Sequence, residues 1–295
     1  IMSHNPPTVL ATKANKQSKD LFGVNMHSKE SGLIDFVYSD NKDLKTKITL
    51  LLDYTNVFST DSADDPNRES KALIKNNSSG ALLAALADGG RCLEYSADYA
   101  KEAKCYFARV NGISVGIVAS DAQENDYLTV KSADKITSFI SLLDDYELPL
   151  ITLVNSKGVN TTIGEEQDCA ICYVSGLINT VATASIPKIG EIVGNATGIA
   201  YTCLASKGLG YDYTIAFPDS LIAPINSDTA VNLVYSEELK AKCNSPELRA
   251  KLEALYNEEN ASPFIAAKEG FIDEIIHPSA LRPYIANALM MLLGL

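Results

Sequence analysis

Two rhythms of apolar positions alternate along the chain from residue 105 onward. Short β-rich runs occupy 105–110 and 113–119 on either side of Asn111-Gly112, a turn pair that tolerates positive φ and so predicts a hairpin. Leu148-Pro-Leu-Ile-Thr-Leu-Val154 is a continuous apolar run with the length of a buried strand, and 187–193 and 213–217 read as strands too. Helices are expected at 132–146, 165–184, 198–206, 226–235, 246–258 and 279–293. The 246–258 helix carries Glu247, Arg249, Lys251, Glu253 and Glu258, a solvated face with salt pairing. Strands and helices in alternation predict an α/β protein. No internal period is present, which excludes a solenoid.

Upstream the pattern is sparser. Segment 31–36 is compatible with a strand and 44–52 with an amphipathic helix. Residues 59–68 are polar and acidic around Asp65-Pro66-Asn67, and they read as a linker. A helix is expected over 79–88, with Leu82, Leu83 and Leu86 on its apolar face and Gly89-Gly90 as its stop.

Composition narrows the function classes. A net charge of −12 over 295 residues argues against a nucleic-acid partner, since phosphate neutralisation needs clustered Lys and Arg. Hydrophobic residues make up 46%, and the mean hydropathy of +0.01 fits a well-cored protein. No apolar run reaches the roughly 18–20 residues of a membrane span. No basic segment followed by an apolar one opens the chain, so no signal peptide is expected and the protein is placed in the cytoplasm. Cysteines stand at 92, 105, 169, 172, 203 and 243. Cys169-Ala-Ile-Cys172 has redox or metal spacing, but it falls inside an expected helix, without a second pair or a nearby His. The six cysteines are therefore read as buried free thiols, and no metal is expected. His4, His27 and His277 sit near no nucleophile elbow, and His277 before Pro278 reads as a turn residue. Asp64-Asp65 and Asp144-Asp145 read as solvated acidic pairs, and Gly208-Leu-Gly210 is too poor in glycine to cradle a phosphate.

Two strings carry a family resemblance. Residues 261–283 read Ala-Ser-Pro-Phe-Ile-Ala-Ala-Lys-Glu-Gly-Phe-Ile-Asp-Glu-Ile-Ile-His-Pro-Ser-Ala-Leu-Arg-Pro, and 107–119 read Phe-Ala-Arg-Val-Asn-Gly-Ile-Ser-Val-Gly-Ile-Val-Ala. Ala184-Ser-Ile-Pro-Lys188 and Ala216-Phe-Pro218 fall between them in the expected order. Together they resemble the biotin-dependent acyl-CoA carboxyltransferases, of the propionyl-CoA carboxylase β-subunit and biotin-dependent decarboxylase α-subunit type. The resemblance implies the crotonase-like fold, a superhelix of ββα units. It divides the chain into the tail of an N-terminal carboxyltransferase domain (1–58), a linker and helix (59–104) and a C-terminal carboxyltransferase domain (105–295). Position 1 is Ile, and the bulk of the family's N-terminal domain has no counterpart. The chain is thus expected to be a fragment, a split subunit or a proteolysed product.

The same resemblance implies the chemistry: transfer of a carboxyl group between carboxybiotin on a carrier domain and the α-carbon of an acyl-CoA. Such catalysis rests on backbone N–H groups aimed at developing oxyanions, and such donors are exposed at a helix N-terminus. The matching turn here is Asn195-Ala-Thr-Gly-Ile-Ala-Tyr-Thr202, which assigns Gly198, Ile199 and Ala200 to catalysis, the Ile199 and Ala200 amides pointing into a cavity. Ile199 replaces the family's second glycine, and Thr202 takes the position that sorts acyl groups. The loop Asn155-Ser-Lys-Gly-Val-Asn-Thr-Thr-Ile-Gly164 matches the family's biotin-admitting loop at Gly158 alone, with Val159, Asn160 and Thr161 following. Both family prolines and the phenylalanine are missing, and Lys157 stands at the first proline position. Ile199 and this loop support an alternative, a catalytically inactive carboxyltransferase-like subunit with a structural or regulatory role. A third reading is another crotonase-fold enzyme, a hydratase or thioesterase, which needs paired carboxylates in its pocket. The implied partners are a biotin carboxyl carrier protein, a biotin carboxylase and an acyl-CoA. A homo-oligomer is also expected, with the helices near 165–184 and 198–206 at its interface and small residues Ala182, Ala184, Gly198 and Ala200 allowing close approach.

Overall fold

The computed structural model describes residues 23–55, 64–74, 78–241 and 245–295. His4, the 59–63 part of the expected linker and Cys243 lie outside the described residues. The first described elements are the helices α1 (Val24–Lys29), α2 (Asn41–Tyr54) and α3 (Ser79–Leu86). Strand β1 (Cys92–Tyr95) precedes the hairpin β2 (Ala103–Val110) and β3 (Ile113–Ser120). Next come α4 (Val130–Asp145), β4 (Leu150–Ser156), α5 (Ile163–Gln167), α6 (Ala170–Thr183), β5 (Lys188–Thr197) and α7 (Ile199–Ala205). Strands β6 (Tyr213–Ala216) and β7 (Leu221–Ala223) precede helices α8 (Ser227–Val234), α9 (Ser236–Ala241), α10 (Pro246–Asn260) and α11 (Pro263–Lys268). Strand β8 (Glu274–Ile275) and helix α12 (Leu281–Leu293) close the chain.

All eight strands form one sheet in the order β1-β2-β3-β4-β5-β6-β8, with β7 pairing the far end of β5. The β1–β2–β3 pairs are antiparallel and the rest parallel. Both faces are covered, which explains why β4 and β5 read as near-continuous apolar runs. On one face, Phe107, Leu150, Val154 and Ile192 pack against α4, α6 and α7. Helix α4 brings Ile136, Phe139, Ile140 and Leu143 to that layer, at helical spacing behind a reciprocal Thr129–Ser132 capping box. Gly116 of β3 lets Leu143 sit directly on the sheet, since a Cβ there would overlap its side chain. On the other face, Ile151, Leu153, Ile189 and Ile215 pack with α3 and α12, through residues such as Leu86, Ile285 and Leu289.

One buried ion pair joins distant parts of the chain. The Arg282 side chain, at the start of α12 and fully shielded, donates from Nη2 to Asp88 Oδ1 at 2.6 Å, from Nε to the Asp65 carbonyl at 2.9 Å and from Nη1 to the Leu86 carbonyl. Asp88 in turn accepts the Asn111 and Gly112 amides of the β2–β3 turn, at 3.0 and 2.7 Å. Both turn residues have positive φ, as that hairpin turn demands. Asp64 joins the cluster through Arg68, the Gly89 amide and Arg282. Burial works against the Asp64 charge, but these partners hold its carboxyl below the usual range. Asp64 is therefore part of a structural anchor and not a solvated spectator, while Asp65 lends that anchor only its carbonyl and keeps an exposed side chain, as expected. Asp144 likewise accepts the Ser185 amide and hydroxyl at 2.8 and 3.0 Å.

Several expectations need correcting. Segment 31–36 is irregular and pairs with no strand: Gly32 takes φ +63° against the Tyr99 ring, and Asp35 ties to Ser96. The stretch read as linker and helix also holds β1, paired to β2 from Cys92↔Ala108 to Tyr95↔Cys105. The helix expected over 165–184 is two helices, broken where Cys169 adopts left-handed φ 63° and ψ 52°. Cys169, at that break, and Cys172, in the first turn of α6, form a disulfide, so these two are not free thiols; Cys92, Cys105 and Cys203 are. Ala184 and Ala200 are covered by the chain itself, so neither is open to the close approach of a partner backbone.

The sheet also buries a charge-bearing group without a partner. Side chains alternate along a strand, so Glu191 shares the face of Ile189 and Val193, between its register neighbours Leu153 and Ile215. Neither carboxyl oxygen has a hydrogen-bond partner among the described residues, and burial raises the carboxyl well above its ordinary range. The folded state thus holds a proton that the unfolded state releases, and stability falls as pH rises from the ordinary carboxylate range towards the raised one. Replacing Glu191 with Leu is expected to stabilise the fold by about 1–3 kcal/mol at neutral pH, with the gain shrinking towards about pH 4; urea unfolding of both proteins across pH measures it. Asp88→Ala should cost roughly 3–5 kcal/mol, because Arg282 is left buried without its counter-charge; the same denaturant curves test this.

Candidate active site

The two segments singled out in the sequence meet at the carboxyl ends of β4 and β5. Their parallel register pairs Leu150↔Lys188 through Val154↔Ile192, then shifts to Ser156↔Ala196. Asn155 bridges the irregularity by accepting the Asn195 amide at Oδ1, 2.9 Å away. Beyond β5 the chain turns at Gly198, with φ 56° and ψ −131°, and enters α7. The Gly198 amide donates to the Ala223 carbonyl at 2.9 Å, and a Cβ on Gly198 would lie 3.2 Å from the Pro224 carbonyl. Only glycine meets both conditions without strain.

Ile199 and Ala200 occupy the first turn of α7. Neither amide has a protein acceptor among the described residues, so two adjacent N–H donors are left for another ligand. Ile199 is 39% exposed, whereas Ala200 is buried. Ile199 is absent from the positive-φ residues, so its β-branched side chain meets no backbone penalty. The Thr202 hydroxyl bonds back to the Gly198 carbonyl at 3.3 Å, bracing the turn.

The 155–164 loop lies beside this turn. Gly158 has φ +121°, and a Cβ there would sit 3.7 Å from the Thr197 carbonyl. Backbone bonds tie the loop to 126–128: Lys157 N–H to the Asp126 carbonyl, Leu128 N–H to the Gly158 carbonyl and Asn160 N–H to the Leu128 carbonyl, all at 2.7–2.8 Å. Val159 bridges to Leu128, Asn160 Oδ1 accepts the Thr162 amide, and Thr161 is exposed. Lys157 pairs with Asp126 at 2.8 Å, and that bond raises the lysine above its ordinary range. The lysine at the first proline position is thus held by an ion pair.

A cavity of about 310 Å³ lies beside these segments; Lys157, Asn195 and Thr197 reach its wall, whereas Gly198, Ile199, Ala200 and residues 158–161 are not among its lining residues, so the expected Ile199 and Ala200 amides do not line it. Tyr127, Lys157, Asn195 and Thr197 line it from the strand side, and Asn226, Asp228 and Glu253 from α8 and α10. Thr197 is buried, and its hydroxyl has no hydrogen-bond partner among the described residues. Asn226 caps α8 through the Thr229 amide and reaches the Lys157 carbonyl with Nδ2 at 3.4 Å. Asp228 is ion-paired with Arg249 at 3.2 Å. Sequence reasoning missed Thr197 and the α8–α10 wall. The α8 wall had one usable sign, an Asn at the N-cap of an expected helix; the buried hydroxyl had none. Among the described residues no His/Cys/Asp/Glu group could hold a metal ion, and no helix is long and apolar enough to cross a membrane.

The carboxyl transferase domain model matches residues 7–294, nearly the whole chain. The chain belongs to the carboxyl transferase family. It is 31% identical to the methylmalonyl-CoA decarboxylase subunit alpha of Propionigenium modestum, over 98% of this chain and 59% of that protein. To the methylmalonyl-CoA carboxyltransferase 12S subunit of Propionibacterium freudenreichii subsp. shermanii it is 30% identical, over 92% of this chain and 55% of that one. Among solved structures, a transcarboxylase 12S hexamer with methylmalonyl-CoA and methylmalonic acid bound superposes with a TM-score of 0.88 at 28% identity, covering 98% of this chain and 59% of that one. The fold is accordingly the crotonase-like α/β fold. The chain spans a little over half the length of these relatives.

Gly198→Val places a branched Cβ at positive φ against the Pro224 carbonyl. It is expected to lower stability by roughly 1–3 kcal/mol, measured by thermal and denaturant unfolding. Ile199→Ala, which only trims an exposed side chain, should stay within about 0.5 kcal/mol of the parent.

Proposed function

We propose that this chain forms the biotin-side half of a carboxyltransferase, moving a carboxyl group between carboxybiotin on a carrier domain and an acyl-CoA. The observation that carries this reading is the Gly198 turn, whose two following amides have no protein acceptor among the described residues, one residue beyond the Thr197 wall of a polar cavity, in a chain of the carboxyl transferase family. When bound, biotin supplies the ureido nitrogen that carries the carboxyl group. The Ile199 and Ala200 amides would face the ureido oxygen, whose negative charge grows as that group leaves. Fixed N–H dipoles in a shielded site stabilise such charge without reorganising. The Thr197 hydroxyl, buried and unpartnered, offers a further hydrogen bond at the cavity wall. Gly158 borders the turn, and the bonds of 157–160 to 126–128 would hold Lys157 at the cavity wall; Val159, Asn160 and Thr161 follow it in the proposed biotin loop. Thr202 would act by bracing the Gly198 carbonyl.

The 155–164 loop and Ile199 are the two supports for an inactive subunit. The ordinary helical backbone of Ile199 leaves both donors intact, which removes the second support, and the loop keeps an ordered path through its backbone bonds to 126–128. A hydratase or thioesterase would need a free carboxylate pair; Asp228 and Glu253 both line the cavity, but Asp228 is held by Arg249. The proposed partners are a biotin carboxyl carrier protein, a biotin carboxylase and an acyl-CoA. Methylmalonyl-CoA is the first candidate, because it is bound in the solved relative. Homo-oligomerisation also belongs to the proposal, since that relative is a hexamer.

The test is calorimetric titration with free biotin and with a biotinylated carrier domain, alongside carboxyl release from methylmalonyl-CoA in the presence of biotin. Binding is expected with the parent protein. Thr197→Val should weaken it by about 1 kcal/mol or more, while stability is unchanged or slightly raised. A parent protein that binds neither biotin nor the carrier would sink the proposal.

A further inference from the structure

The CxxC pair at the head of α6 is not absorbed by carboxyl transfer, which uses no thiol. Cys169 is the N-cap of the 14-residue helix α6, and Cys172 is its third residue. The two form a disulfide with a Cα–Cα distance of 5.4 Å. Cys172 is exposed and Cys169 half-buried, whereas Cys105 and Cys203 are buried with their thiols pushed up to about 12 by burial. Cys92 is a half-buried free thiol that burial also raises, so among the described cysteines the exposed sulfur is that of Cys172.

We propose that Cys169 and Cys172 form a thiol–disulfide exchange site whose reaction partner is a dithiol, and that the disulfide state sets how firmly α5 is held beside the candidate active site. The reductant's thiolate reaches the exposed Cys172 Sγ. A new S–S bond forms there, the Cys169–Cys172 bond breaks, and Cys169 leaves with the electron pair as a thiolate. Its place at the N-cap favours that departure. The Ala170 and Ile171 amides have no protein acceptor among the described residues, and helix N-terminal donors stabilise a thiolate. The partner's second thiolate then attacks its own disulfide-bonded sulfur and closes a disulfide within the partner, releasing Cys172. The partner loses two electrons, the CxxC gains two, and the partner's two thiol protons are returned to the two cysteines. A monothiol is a poorer partner. Cys169 stands three residues away and expels it from the mixed disulfide before a second molecule can resolve the adduct.

The structural consequence follows from the backbone. Cys169 has φ 63°, a conformation that non-glycine residues rarely adopt, and the break it makes separates α5 from α6. On the α5 side, Glu165 Oε2 accepts the Val130 amide at the start of α4, 2.6 Å away. Asn160, at the end of the candidate biotin loop, bonds to Leu128 two residues before Val130. Opening the disulfide removes the covalent hold on the left-handed residue. The 163–169 segment can then rejoin α6 and release Val130.

The experiment counts thiols and follows amide exchange. Full-length protein is oxidised with diamide, held natively with dithiothreitol or with glutathione at equal thiol concentration, then unfolded and labelled with maleimide. The expected result is two fewer labels than the six cysteines after diamide. Brief dithiothreitol treatment should restore both, at Cys169 and Cys172, with little restored by glutathione. Cys172→Ser should abolish the change. Hydrogen–deuterium exchange over 163–169 and at Val130 should rise several-fold on reduction, and Cys172→Ser should behave like the reduced parent. All six cysteines labelled after diamide, new labels at other cysteines, or a pair that dithiothreitol reduces only after unfolding would overturn the exchange site. Unchanged amide exchange would overturn the link to α5. None of these readouts depends on carboxyl transfer, so the two proposals fail separately.

Discussion

Asp88 is the residue on which most of this structure hangs. Its carboxylate is shared between the Arg282 guanidinium and the two amides of the β2–β3 turn. Through those bonds the helix that ends the chain, the end of α3 and the antiparallel edge of the sheet are fixed to one another. A buried carboxylate of this kind is tolerable only when every lone pair is used. Arg282 meets the same condition by spending its remaining donors on the Leu86 and Asp65 carbonyls. The cluster is costly to break and specific in what it joins. It locks the helical layer of α3 and α12 over one face of the sheet, leaving the carboxyl ends of β4 and β5 free to build a site.

Glu191 is the counter-example in the same layer. It is at least as buried, it has no hydrogen-bond partner among the described residues, and burial raises its carboxyl well above the ordinary range, which favours the neutral form. Lys188 and Lys135 show a third solution. Each is buried, yet each ammonium reaches backbone carbonyls: Val181 and Ala184 at the end of α6 for Lys188, and Tyr99 and Ala100 for Lys135. Burial pushes both lysines below their ordinary range. The molecule thus settles its buried ionisable groups by ion pairing, by carbonyl contact and by neutralisation.

The candidate site asks little of its side chains. What it needs is a parallel register that brings two strand ends together, a glycine where the chain turns at positive φ, and donors that the helix cannot use itself. That division explains why substitutions in the 155–164 loop and at Ile199 are compatible with an intact pair of donors. A backbone N–H persists under any side chain except proline, provided that the backbone can adopt the turn.

Much was legible in the sequence because it depends on local physics. The hairpin at Asn111-Gly112 and the buried strand within 148–154 are each specified by residues a few positions apart, whereas the helix expected over 79–88 ends earlier, at Leu86. The two marked strings, 107–119 and 261–283, were enough to name the family and hence the fold. What the sequence could not decide is what depends on partners far along the chain. Asp64 reads as solvated until Arg282, more than two hundred residues later, is folded against it. Cys169 and Cys172 read as helical free thiols until the left-handed turn between α5 and α6 lets their sulfurs meet. Thr197 is one more strand residue until α8 and α10 close a cavity over its hydroxyl. Local propensity and pattern determined the elements and their order; only the packed sheet, by setting which groups lose water and which find a partner, decided the site.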